Sequence, residues 1–262
     1  MAVVIHFLPQ TIRLLKIVFE HDEQELIDAC TLDLPSDLSN CVWVEKTDKL
    51  VEFIQNNIDY KKFAGCWTVA VLDTSLTCIK EFNMPVLNEQ ELEQAIKWDA
   101  LQYLPYNEDE YVYGYNSYSW SNNYGEGIKV NLIATEQRVS SAVIAVCSNL
   151  NLKLGKMTVA ALALAELVQN GYLNFAVLDI VNNTAQVTVF EENRPVQNSI
   201  IDLGLDSFVV ILAENLRLSR VQARTLLEDQ AALLQTLEEN PGLNEQIDTL
   251  IYEFVNQVSM VI

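Results

Sequence analysis

Residues 3–8 and 12–19 are two short, predominantly apolar runs rich in β-branched and aromatic residues, separated by Pro9-Gln10. Two such runs with a turn signal between them predict two strands, which residues 25–32 continue into the same sheet. Residues 48–56 switch to helical spacing, with Leu50, Val51 and Ile54 on one face. Residues 67–72 and 77–82 are again strand-like and flank Asp73-Thr74-Ser75. At Asn88 a helix begins. Its side chain can accept from first-turn amides while Glu91 reaches back, the reciprocal pairing of a capping box. Leu92, Ala95, Ile96, Ala100 and Tyr103 then form an apolar stripe, and Pro105 closes the helix.

Beyond that helix, residues 111–115 and 130–134 predict a hairpin across a polar loop, and residues 139–149 a second helix. Residues 158–168 are small and apolar nearly all round, the pattern of a buried connecting helix. Three further strands follow at 175–180, 185–191 and 196–203, repeating the strand-turn-strand plan of the N-terminal region. Ser219 with Gln222 is another capping box, opening a helix to Leu227. Ile247, Leu250, Ile251, Phe254, Val255 and Val258 mark an amphipathic C-terminal helix whose leftover apolar face leaves self-association as an expectation.

Charge narrows the set of partners. Thirty-six acidic against 16 basic residues give a net charge of −20, which repels nucleic-acid phosphates and anionic lipid alike. Neither nucleic acid nor direct membrane insertion is therefore expected, and no apolar run has the length of a membrane span. The N-terminus lacks a basic start and is interrupted by Pro9, Arg13 and Lys16, so it does not read as a signal peptide. Five cysteines without C-x-x-C spacing, and only His6 and His21 to join them, predict unpaired thiols in a reducing, cytoplasmic setting and no metal site.

The segment from Phe82 to Tyr115 resembles PilM-type proteins, the cytoplasmic actin-like component of type IV pilus assembly. Ala95, Ile96, Trp98, Asp99, Ala100, Gln102, Tyr103, Leu104 and Pro105 fill that family's pattern A-I-x-W-[ED]-A-x-Q-Y-[IL]-P. Residues 175–204 resemble its second phosphate-loop region, and LRLSRVQARTLLED the helix after it, so the likeness spans residues 68–262. The resemblance implies an α/β, actin-like (ribonuclease H-like) fold. Its divisions would be a first sheet unit at 1–83, an inserted α/β subdomain at 84–156, a connecting helix at 157–171, and a second, incomplete unit at 172–262. The cytoplasmic domain of the type II secretion protein GspL is a related alternative.

In such a fold, two loops of the type Asp-x-Gly hold the nucleotide phosphates. The first loop would begin with I-D-x-G, where this chain has His6, Phe7, Leu8, Pro9 and Gln10, with acid and glycine both missing and proline removing an amide. At the second, Asp179 is retained but the glycine two residues on is Val181, whose β-branch resists positive φ. Asp179, Asn182, Asn183, Thr184 and Gly204 are the candidate cofactor residues. Asp179 reads first as a carboxylate capping turn amides, with magnesium contact as the alternative. With eight glycines and no nucleotide or nucleophile motif, the sequence predicts no enzyme and no cofactor, magnesium-ATP being the alternative.

The resemblance further implies a scaffold recruited to the inner face of the cytoplasmic membrane by the N-terminal segment of a PilN-like inner-membrane protein. Met84, Pro85, Leu87, Trp98, Gln102, Tyr103 and Pro105, with Tyr111 and Tyr113, are the residues expected to receive that segment.

Overall fold

The computed structural model describes residues 1–20, 23–103, 110–122, 125–168 and 172–261, the side chains of residues 20, 23, 99–103 and 121–122 excepted. The chain divides into two compact units. The first comprises Met1–Leu173 with Glu191–Gln197, the second Asn174–Phe190 with Asn198–Ile262.

The first unit opens with β1 (Ala2–Phe7), β2 (Thr11–Glu20) and β3 (Glu23–Asp33), followed by α1 (Thr47–Asn57) and β4 (Trp67–Leu72). β4 lies parallel to β1, and β8 (Lys153–Val159) lies parallel to β4, giving the order β3-β2-β1-β4-β8. Strand alternation decides which residues meet. Val3, Ile5 and Phe7 point with Ile12, Leu14, Ala70 and Leu72 into a core with α1 and with α3 (Gln137–Asn149), which contributes Val143 and Val146. Trp43 sits fully buried here, its ring centroid 5.0 Å from that of Phe7.

A second layer in the same unit is built from β5 (Thr77–Met84), α2 (Glu89–Tyr103), β6 (Tyr111–Asn122) and β7 (Gly125–Glu136). β7 pairs antiparallel with both β5 and β6, and the hairpin is much longer than residues 111–115 and 130–134 suggest. Leu92 and Ile96 of α2 pack on Phe82, Val130 and Leu132. On this layer Glu81 accepts from Tyr118 Oη at 2.7 Å and Asn131 Nδ2 at 3.2 Å, and pairs with Lys129 Nζ at 2.9 Å.

Residues 158–168 are not one buried connecting helix. The parallel ladder with β4 claims residues up to Val159, the helix α4 covers Ala160–Ala165 and runs on as a 3-10 turn over Glu166–Val168, and Leu167 there is exposed. An apolar stretch flanked by an existing strand is drawn into the ladder, where each residue gains a backbone bond without a new helix nucleus.

In the second unit β9 (Phe175–Ile180) and β10 (Ala185–Glu191) form a hairpin whose first-strand Phe175 stacks on Phe190 at 4.7 Å. β11 (Arg194–Ile201) adds its C-terminal residues beside β10. Four helices follow in this unit: α5 (Leu205–Leu216), α6 (Arg220–Glu228), α7 (Gln230–Glu239) and α8 (Pro241–Ser259). Val209, Leu212, Ala223, Leu243 and Ile247 make one small core, while Leu250, Phe254 and Val258 of α8 cover Ala185 and Val187.

Candidate functional site

The β9–β10 loop, where the sequence places the second phosphate loop, is closed on the start of α5. Val181 N–H donates to Thr184 O at 2.9 Å and fixes the turn. The carbonyls of Val181 and Asn182 then accept from Leu205 N–H at 3.0 Å and Asp206 N–H at 2.7 Å. Those two amides open α5, and a helix N-terminus is where a phosphate would look for donors. Here they are bonded to protein carbonyls. Arg224 of α6 completes the closure, its Nη2 donating to Asn182 Oδ1 at 2.8 Å and Asp206 Oδ1 at 2.9 Å.

Gly204 is required by this arrangement for space, not for an unusual torsion, since its φ is −138°. A β-carbon there would stand 2.5 Å from the carbonyl oxygens of Asn182 and Val181. Asn182, Asn183, Thr184 and Gly204 are thus brought together. Asp179 lies two residues before the turn on β9, paired with Gln186 in the ladder, on the same face as Val177 and Phe175.

The β1–β2 loop is equally occupied. Leu8 is buried and its N–H donates to Thr11 O at 3.0 Å, while Pro9 O accepts from Asn40 N–H and Gln10 O from Leu34 N–H at 2.8 Å. Beside it lies a group of residues that motif reading passes over. Asp73 is fully buried, caps the turn after β4 by accepting from Ser75 N–H at 2.9 Å and from Ser75 Oγ, and donates its own N–H to Phe7 O at 3.0 Å. Burial pushes the His6 imidazole down to about 4, against the opposing pull of Asp73 and with Arg13 adding to the depression. Burial likewise raises the Cys41 thiol to about 11, with the Asp73 charge adding to it. Only the D-x-S order, typical of an Asx turn, signals this cluster in the sequence.

In these two loops Pro9 and Val181 stand where a phosphate cradle uses glycine, and the amides of Leu8, Val181, Leu205 and Asp206 are bonded to backbone carbonyls. Among the described residues no group of three or more His, Cys, Asp or Glu could hold a metal ion. All five cysteines are unpaired.

The segment expected to receive a peptide divides by burial. Met84 and Tyr111 belong to the core of the second layer, so their side chains face α2 and β7 and not solvent. Pro85 and Val86 are exposed, Leu87 and Tyr113 half-buried, and Trp98 is 68 % exposed on α2. The capping box is formed: Glu91 N–H donates to Asn88 Oδ1 at 3.0 Å and Asn88 N–H to Glu91 Oε2 at 3.2 Å. Burial, then the charges of Glu93 and Tyr115, raise the Tyr113 phenol, against the opposing pull of Lys97. β6 is the outer strand of its layer. The side chains of Gln102 and Tyr103, and Pro105 altogether, lie outside the described residues. A separate cleft of about 240 Å³ is lined by Cys41, Glu45, Ser75, Glu136 and Arg138, with Arg138 bridging Glu45 at 3.2 Å and Glu136.

No family model and no curated protein matches the sequence. Among solved structures, one of the PilM–PilN type IV pilus biogenesis complex is similar over 98 % of this chain and 75 % of that chain, with a TM-score of 0.71 and 15 % identity. The fold is actin-like. The cytoplasmic domain of EpsL, an inner-membrane component of the type II secretion system of Vibrio cholerae, is similar over 81 % of this chain and 74 % of that one, with a TM-score of 0.52 and 10 % identity. At such identities the likeness is one of fold. The resemblance read from residues 68–262 is thus accompanied by a likeness of fold over nearly the whole chain. No described helix is long and apolar enough to cross a membrane.

Proposed function

We propose that this protein is a non-catalytic, cytoplasmic scaffold of type IV pilus or pseudopilus assembly that holds an extended segment of a PilN-like inner-membrane protein. The carrying observation is the pair of closed loops, whose amides are bonded by Thr11, Thr184, Val181 and Asn182 carbonyls where nucleotide phosphates would have to sit. The PilM–PilN likeness supports the choice of partner. The receiving surface is the outer strand β6 with the neighbouring α2. An added strand gains main-chain bonds along β6, and Trp98, Leu87 and Tyr113 supply apolar contacts. Glu89, Glu91 and Glu93 on the first turns of α2 favour a segment carrying basic residues.

Titration calorimetry tests this with two ligands, the N-terminal peptide of a PilN-like protein and magnesium-ATP. The peptide is expected to bind, Trp98→Ala to weaken it about tenfold or more without changing the melting temperature, and magnesium-ATP to give no heat. Saturable ATP binding that Asp179→Ala removes would replace the scaffold with a nucleotide-dependent switch. The EpsL likeness favours one second reading, a GspL-like domain that recruits a secretion ATPase, and binding of that ATPase with no binding of the peptide would select it.

A further inference from the structure

One face of the first sheet is covered by α1 and α3, and the register shows what stands on the other. Leu26, Ile17, Ala2 and Trp67 are aligned partners across four strands, and the row ends at Lys153 on β8. The next row along the strands reads Ala29, Leu15, Val4 and Val69 and ends at Lys156. Strands β1, β4 and β8 are parallel, a type normally buried on both faces. Yet Phe19 is 55 %, Leu26 57 % and Trp67 50 % exposed. The Trp67 indole fills the space that a side chain at Gly155 would need, so it lies down over the β4–β8 bulge. Arg13, Lys153 and Lys156 are exposed on this face, and Asp33 is the one carboxylate that its described strand residues supply. In a chain of net charge −20, this is a basic, apolar surface.

The same chain carries a surface of the opposite kind. Ile251, Tyr252 and Val255 of α8 are exposed on one stripe, Tyr252 at 69 %, while Leu250, Phe254 and Val258 are used in the core. Glu245 and Asp248 lie beside that stripe, and α8 contains no lysine or arginine. A helix is about 10 Å across and five strands span about 19 Å, so one helix fits along the apolar rows between the cationic edges.

We propose that α8 of one copy docks on the open face of the first sheet of a second copy. The two surfaces differ, so the contact is heterologous and runs head to tail, each copy offering one of each. Apolar contact supplies the attraction, and the local opposite charges select the surfaces against the general repulsion of two acidic chains.

Analytical ultracentrifugation of the whole chain up to about 100 µM tests the proposal, this range covering weak self-association. The sedimentation coefficient is expected to rise with concentration. Lys153→Glu with Lys156→Glu disables the sheet face, and Val255→Asp with Ile251→Asp disables the helix face. Each double variant alone is expected to remain monomeric. Mixed in equal amounts they are expected to form a one-to-one dimer, because each retains the face the other lacks. That recovery also shows that the variants are folded. A wild-type chain that stays monomeric throughout, variants that associate as the wild type does, or a mixture that stays monomeric while both variants keep the wild-type circular dichroism, would each overturn it.

Discussion

A β-carbon on residue 204 would stand 2.5 Å from two carbonyl oxygens that are themselves fixed by hydrogen bonds to α5. Neither oxygen can yield without releasing a helix N-terminus, so Gly204→Ala is expected to cost about 2 kcal/mol or more, read as a shift of the urea midpoint. Arg217 shows the converse. It ends α5 in the left-handed region, φ 54°, where a side chain is a burden, and Arg217→Gly is expected to stabilise by about 1 kcal/mol in the same assay. His6 carries a pH dependence. Its folded value, about 4, lies below the ordinary 6.5, so between those values the unfolded chain binds the proton first. Stability from this residue is whole above about pH 6.5 and drains as the pH falls towards 4, by about 3 kcal/mol at the limit. Denaturation of the wild type and His6→Gln at pH 7 and pH 4.5 should therefore show a smaller acid loss in the variant. The motif comparison marked position 6 only as a place where an acid is missing; what the imidazole does depends on β4 and the Asp73 turn, more than sixty residues away in the sequence.

Capping residues made two helices legible. Asn88 with Glu91 and Ser219 with Gln222 each form both reciprocal bonds, because a cap is a local device that needs nothing from the rest of the chain. β8 and α5 were not legible. Lys153–Val159 has charges at irregular positions because a bulge shifts its register between Thr68 and Val69 of the partner strand, hiding the period of two. α5 contains the β-branched run Val209-Val210-Ile211, which resembles a strand, and tertiary packing of Leu212 and Val209 overrides it. At this scale burial separates stability from binding on α2. Ile96→Ala, in the core, is expected to cost about 3 kcal/mol of unfolding free energy, and Trp98→Ala next to it less than about 0.5 kcal/mol. Glu81 unites β5, β6 and β7: burial raises its carboxyl, but hydrogen bonds from Tyr118, Lys129 and Asn131 outweigh that and hold it below the usual range. Glu81→Ala leaves those donors behind and is expected to cost about 2 kcal/mol, measured by urea denaturation.

For the molecule as a whole, the repeated three-strand meander could be read from residue order, since β1–β2–β3 and β9–β10–β11 are divided by similar turn signals, whereas the actin-like fold came from the family resemblance of residues 68–262. Asn182 and Asn183 lie against Gly204 in the fold. Their internal bonding was not foreseeable, because Arg224 reaches Asn182 across forty-two positions and no motif announces the pair. One consequence concerns synthesis on the ribosome. The first sheet is completed by β8, which pairs with a strand more than eighty residues earlier. During translation, Trp67–Leu72 must wait on the order of ten seconds, with one edge open, while the layer containing α2 is made. That layer, from Thr77 to Glu136, has its own local pairings and can fold first. An arrest-peptide force measurement along the nascent chain should accordingly record one pulling event after residue 136 has left the exit tunnel and a second only once Val159 has emerged.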